Sequence, residues 1–179
     1  DIIRKNSNLL LQLINDILDL SKIEADAIKI SYVPVDLNEM MDITYASVKP
    51  RMPKGVVLKL EKGLDKCTFG TDQIRLLQLI NNLINNAIKN TKEGSITMGY
   101  KALEDGRLKF YVKDTGMGIA EDKLQSLFNR FVKINDYVEG IGLGLAICNG
   151  LVTKMGGSIH VESKLGEGST FSFILPSHD

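Results

Sequence analysis

The stretch "LINNLINNAIKNT" at residues 79–91 decides how this chain is read. Leu76, Ile80, Leu83 and Ala87, flanked by Leu77, Ile84 and Ile88, recur at helical spacing. They predict an amphipathic helix to about Asn90 whose apolar stripe faces a core. Thr71 or Asp72 can cap its start, and Gly94 stops it. The segment also holds Asn81, Asn82, Asn85, Asn86 and Asn90. Asparagine competes with its own backbone and is a mediocre helix former. Asn82, Asn86 and Lys89 fall at i, i+4 and i+7, so they share a face away from the leucines. That face offers neutral carbonyl oxygens and one cation. A hard ion such as Mg²⁺ accepts such an oxygen while keeping waters and substrate phosphate in its shell. A solvated polar face is the plainer alternative.

Moving outward, residues 95–102 and 107–113 read as two strands joined at Glu104-Asp105-Gly106. A loop and a short helix cover 114–131, and a helix spans about 143–155, ended by Gly156-Gly157. Two last strands, 158–163 and 170–175, flank a turn at Gly166-Glu167-Gly168. On the other side, Val56, Leu58 and Leu60 suggest a strand, with a short one near Cys67 to Phe69. Asp36 sits three residues before Glu39 as in a capping box, predicting a helix to about Val48 that Pro50 and Pro53 break. Residues 28–33 alternate as a strand that Pro34 ends. Residues 2–24 read as one amphipathic helix, with Leu10, Leu13, Ile17 and Leu20 widened by Leu9, Ile14 and Leu18. So wide a stripe suits a bundle helix. Neighbouring strand pairs mixed with helices predict an α+β fold, a two-layer sandwich with one mixed sheet under a helical layer.

Composition narrows the function. The 179 residues suit about one domain with a little left over. Lys+Arg and Asp+Glu both number 22, which argues against a nucleic-acid-coating surface. No apolar run of about 18 residues and no secretory leader are visible. Two cysteines, Cys67 and Cys148, and two histidines, His160 and His178, make a disulfide framework or a metal cluster of those residues improbable. The chain opens inside a helix without an initiator Met and reads as a piece of something longer.

Three further segments carry chemistry. Asp114-Thr115-Gly116-Met117-Gly118 follows a strand, and its two glycines let the backbone approach a flat ligand. A buried carboxylate there can accept from an exocyclic amine such as that of adenine; a plain turn is the alternative. Gly140-Ile141-Gly142-Leu143-Gly144 opens straight into a helix, a ready anion site or a hinge. It lacks the dinucleotide-binding and P-loop spacings. In Leu127-Phe128-Asn129-Arg130-Phe131 the arginine can stay at the surface or reach a phosphate.

Together and in this order the segments resemble one family. "LINNLINNAIKNT" resembles the N box of bacterial sensor histidine kinases, "DTGMGI" the first glycine box, "LFNRF" the F box and "GIGLGLAI" the second glycine box. "GEGSTFSFILP" resembles the closing glycine segment. "LLLQLINDILDLSKIEA" resembles the second helix of the dimerisation and phosphotransfer hairpin. The resemblance implies the Bergerat (GHKL) ATP-binding fold over residues 27–179, preceded by part of the hairpin at 1–26.

The resemblance further implies ATP and Mg²⁺ as cofactors. Asn86 would hold the Mg²⁺, Asn82 would support it and Lys89 would contact phosphate. Asp114 would bind the adenine amine, with Gly116 and Gly118 giving room, and Ile119 and Ser169 would be further contacts to the nucleotide. Gly142, Leu143, Gly144 and Leu145 would meet the nucleotide at the second glycine box. Residues 132–141 would form a short lid anchored by Phe128 and Phe131, with Arg130 reaching the γ-phosphate. The implied reaction is in-line transfer of that phosphate to a histidine, for relay to a response-regulator aspartate. The implied partners are the histidine-bearing hairpin, the response regulator and a second copy in the full-length protein. The implied location is cytoplasmic, and many relatives are anchored in a membrane.

Departures are visible too. The chain has no hairpin segment with the acceptor His, and neither His160 nor His178 fits that motif. Asn90 stands where the family usually has an aromatic residue, Ile141 where it has Thr, and Asn129 where an acid is common. Two rival functions remain. A GHKL-type ATPase would need a general-base Glu on the asparagine helix, and residues 73–91 hold no carboxylate. A non-catalytic ATP-sensing or dimerisation module would use the same apolar stripe at the start of the chain.

Overall fold

The computed structural model describes residues 2–129 and 142–178. Its centre is the helix α3, Gln73–Asn90, which buries Leu76, Leu79, Ile80, Leu83, Ile84 and Ala87. Asp72 caps it, its Oδ1 accepting from Arg75 N at 3.1 Å. The other carboxylate oxygen accepts from Ser31 N at 2.9 Å, so one side chain starts the helix and ties down the segment before it.

The elements before α3 are α1 (Ile2–Glu24), β1 (Val33–Asp36), α2 (Leu37–Val48), β2 (Val56–Glu61) and β3 (Thr68–Thr71). After it come β4 (Gly94–Ala102), β5 (Leu108–Asp114), α4 (Glu121–Leu124), α5 (Gly144–Lys154), β6 (Ser158–Lys164) and β7 (Gly168–Leu175). Five strands form a sheet in the order β2-β4-β5-β7-β6. β2 runs parallel to β4 and every other pair is antiparallel, so the sheet is mixed as expected.

Strand periodicity gives this sheet two unlike faces. One face carries the paired rows Met98–Val112–Phe171–Val161 and Tyr100–Phe110–Phe173–Ile159. Phe110 and Phe173 stack there with ring centroids 5.2 Å apart. These rows pack with the apolar sides of α3 and α5 in one core. The other face carries Lys59, Thr97, Lys113, Thr170 and Glu162 in one row. The result is the two-layer α+β sandwich that the alternating strands predict.

One strand differs from expectation. Residues 27–32 form no strand, and the extended segment is Val33–Asp36, with Pro34 inside it rather than ending it. Among the described residues β1 pairs only with β3, Pro34 opposite Gly70. A strand with a single neighbour tolerates a residue that lacks an N–H. Asp36 caps α2 through Glu39 N at 3.1 Å, as the capping-box spacing predicts.

α1 is seated by its C-terminal half, from Leu13, which packs against the core, onward. Leu20 is buried, Ile23 lies against Gly150 of α5, and Gln78 of α3 donates to Asp19 at 2.9 Å. Leu9, Leu10, Leu11, Ile14 and Leu18 are exposed. Among the described residues, no helix is long and apolar enough to cross a membrane.

Removing the double cap tests this account of α3. Asp72→Ala should lower the unfolding free energy by about 1–3 kcal/mol, from a lost cap and a stranded Ser31 N–H. Urea denaturation of both proteins measures it, and a change within error would deny the cap its role.

Candidate functional site

The polar end of the apolar sheet face is where the expected base-binding residues meet. Asp114 closes β5, and the strand register places it beside Ser169 of β7, which in turn pairs with Ser163 of β6. Asp114 is 4% exposed. Its Oδ1 accepts from Gly116 N at 2.9 Å, and Ser169 N also donates to the carboxylate. Burial pushes the carboxyl above its usual range, while the two backbone donors pull it back.

The loop after Asp114 is locked at short range. A Cβ on Gly116 would lie 2.2 Å from the Asn90 carbonyl oxygen and 2.9 Å from Asp114 Oδ1, so only glycine fits. The same Asn90 carbonyl accepts from Met117 N at 3.2 Å, joining the end of α3 to this loop. Gly118 lies against the Lys164 carbonyl, and Met117 O accepts from Gly166 N at 2.7 Å. Ile119 is buried, and its N–H donates to Ser163 Oγ at 2.8 Å. Gly168 takes φ +118°, and a Cβ there would lie 2.1 Å from the Asp114 carbonyl oxygen. The β6–β7 turn and the Asp114 loop therefore brace each other.

The asparagine face of α3 divides. Asn86 is half-buried, and its carboxamide has no hydrogen-bond partner among the described residues. Asn82 instead bonds the thiol of Cys148 on α5, a group that burial pushes up to about 12. Lys89 is exposed near Asp16 of α1. Burial and Asp19 raise the Asp16 carboxyl against the pull of Lys89. Asn90 donates to the Asn86 carbonyl at 2.8 Å, and its Oδ1 and the neighbouring Thr91 Oγ1 are buried without a partner.

α5 begins at Gly144 after Leu143, and no side chain caps it. Its first amides therefore lack a partner within the helix. A Cβ on Gly144 would meet nothing within 4 Å among the described residues. Gly142 takes φ +77°, and Leu143 and Leu145 are buried. Arg130, Phe131 and the expected lid at 132–141 lie outside the described residues. Phe128 packs on the core and Leu127 is fully buried.

This arrangement can hold a donor-bearing ring at Asp114 and an anion at the start of α5. Among the described residues, no three His, Cys, Asp or Glu side chains cluster to hold a metal. The neutral oxygen of Asn86 suits Mg²⁺ as a single protein ligand, because that ion retains waters and phosphate oxygens. Sequence reasoning did not single out Ser163, whose hydroxyl accepts from Ile119 N, donates to the Gly168 carbonyl and meets Ser169 Oγ. Its one signal was its place six residues before Ser169 across a turn, and the register makes the two cross-strand neighbours.

Comparison with known proteins gives a consistent picture. The family described as histidine kinase-, DNA gyrase B- and HSP90-like ATPase matches residues 71–179. Hybrid signal transduction histidine kinase B of Dictyostelium discoideum is 38% identical over 97% of this chain, which covers 9% of that protein. Sensor histidine kinase RcsC of Escherichia coli (strain K12) is 38% identical over 96% of this chain, which covers 18% of that protein. The crystal structure of full-length ShkA in complex with AMPPNP superposes with a TM-score of 0.89 at 34% identity, covering 98% of this chain and 37% of that one. The chain thus spans less than a fifth of these two curated relatives.

The raised Asp114 carboxyl gives a test by pH. A folded-state value above the unfolded one means that the fold prefers the protonated form. That contribution to stability is complete below about pH 4 and is lost as pH rises through the folded value. The unfolding free energy of wild type minus that of Asp114→Asn should therefore fall as pH rises. Urea titrations at several pH values measure the gap, and a gap that is flat or widens would contradict the assignment.

Proposed function

The chain belongs to the histidine kinase-, DNA gyrase B- and HSP90-like ATPase family, and from that membership we propose that it binds ATP and transfers the γ-phosphate to a protein histidine. Its relatives are sensor histidine kinases. The observation that carries the reading is the buried Asp114 carboxylate, held by two backbone donors at the end of an apolar sheet face. Among the described residues it is an acceptor with no cation built against it, and an exocyclic amine suits it.

Residues 27–179 act as the catalytic domain, and residues 1–26 as the second helix of a phosphotransfer hairpin. The exposed apolar stripe of α1 supports that division. Asp114 takes the adenine amine, with Gly116, Gly118, Ile119 and Ser169 shaping the base pocket. The uncapped start of α5 at Gly142, Leu143, Gly144 and Leu145 receives phosphate oxygens. Asn86 lends its oxygen to Mg²⁺, Asn82 steadies α3 behind it through Cys148, and Lys89 offers a cation. Bound Mg²⁺ supplies neutralisation of phosphate charge, and the chain supplies position. Arg130 and Phe131 keep the roles their motif implies. The acceptor histidine lies on a hairpin segment outside this sequence, and a response regulator receives the phosphate. The full-length protein works as a homodimer, with this part in the cytoplasm.

Hydrolysis as the main activity is disfavoured because residues 73–91 offer no carboxylate to activate water. A non-catalytic nucleotide sensor would share the pocket and differ only in transfer.

Calorimetric titration with ATP should show binding that strengthens with Mg²⁺. Asp114→Asn should weaken it about tenfold or more, the loss of a hydrogen bond to a charged group, with the melting transition kept. Asn86→Ala should abolish the Mg²⁺ effect. Mixed with a hairpin bearing the acceptor histidine, the chain should phosphorylate it. ATP binding and demonstrated association without transfer would favour the sensor reading.

A further inference from the structure

Leu13, Asp16, Leu20 and Ile23 recur at i, i+3, i+7 and i+10, so they share one face of α1. Leu13 packs against the core, Leu20 is buried, and a Cβ on Gly150 of α5 would lie 2.6 Å from Ile23 Cγ2. This is the face by which α1 is seated, and its fourth member is an acid. Asp16 is half-buried there.

The side of α3 that meets α1 is polar. Gln78, Asn82 and Lys89 fall at i, i+4 and i+11, on one narrow face of that helix, with Asn86 beside them. Gln78 accepts from Arg75 Nη1 at 3.0 Å and donates to Asp19 of α1 at 2.9 Å. α1 therefore lies against the side of α3 that carries the residues assigned to Mg²⁺ and phosphate. One turn before Asp19, Asp16 meets the next part of that side. Its charge acts on Lys89 and on the Cys148 thiol that Asn82 bonds.

Asp16 thus has opposed surroundings. Burial and Asp19 disfavour its charge, and Lys89 compensates it. Lys89 is also the cation that the ATP-binding reading gives to phosphate. A triphosphate drawn to Lys89 takes up that compensation and sets further anions before Asp16.

We propose that Asp16 and the phosphates of ATP compete for Lys89, so that the seating of α1 lowers ATP affinity and bound ATP loosens α1. The competition rests on the ATP-binding reading and supplies a regulation of that site. It is reciprocal, since the factor by which seated α1 weakens ATP is the factor by which ATP weakens the seat. Any change that lifts α1 from α3 then raises nucleotide affinity without touching Asp114.

The test is a double-mutant cycle with a second readout on α1. ATP with Mg²⁺ is titrated calorimetrically into wild type, Asp16→Asn, Lys89→Ala and the double variant. Asp16→Asn should bind about two- to fivefold tighter than wild type, the worth of one partly exposed charge pair. That gain should shrink in the Lys89→Ala background, because the contested cation is gone. Saturating ATP should speed amide hydrogen exchange over residues 17–23 of wild type and leave it unchanged in Asp16→Asn. Equal or weaker ATP binding by Asp16→Asn overturns the competition. So does a gain as large without Lys89, which is plain repulsion, and so does wild-type exchange in α1 that ATP leaves alone. Those results leave the ATP-binding reading standing. Failure of wild type to bind ATP overturns both.

Discussion

A carboxylate taken out of water at the edge of a hydrophobic core is the constraint from which the site follows. Burying an ion is costly unless hydrogen bonds compensate it. Among the described residues Asp114 has no cation against it; its compensation is two backbone N–H groups, from Gly116 and Ser169. Both donors require backbone at close quarters, which explains the glycines on either side. Gly116 exists because the Asn90 carbonyl occupies the place of a side chain, and Gly168 because the Asp114 carbonyl does. The loop, the β6–β7 turn and the end of α3 are thus three consequences of one solvation problem.

The same constraint couples the two layers. The asparagine-bearing helix ends where the Asp114 loop begins, through the Asn90 carbonyl and Met117 N. α3 is fixed at its other end by Asp72 and along its length by leucines on the sheet. α5 packs beside it and presents an uncapped start. Such a start offers oriented amides to an anion without a basic surface, in keeping with a chain whose formal net charge is zero.

Much of this was legible in the sequence because the signals were local. The α3 stripe, the Asp36 and Asp72 caps, and the glycine stops each depend on residues within one or two turns. Leu79 was absent from the expected core face, since a broad stripe leaves its width undefined by spacing alone, although it is fully buried. The strand near Pro34 was displaced because proline was taken as a terminator, and whether a strand has one neighbour or two is a tertiary fact. Among the candidate site residues, Asp114, Gly116 and Ser169 were singled out by motif, and the strand register sets Asp114 beside Ser169. Ser163 was not, since its contact with Ser169 comes from strand register and not from the local string around it. Asn82 shared a helix face with Asn86, but packing against α5 gave its carboxamide to Cys148.

That last contact makes Cys148 a built-in clock. Alkylating reagents attack the thiolate, and this thiol is wholly enclosed and pushed up to about 12. Its modification must wait until α3 and α5 part, so the labelling rate counts how often that seam opens. Cys67 sits half-enclosed near the chain's periphery, and burial raises it as well. Two thiols at different depths let a single reagent distinguish fraying at the margin from rupture of the interior.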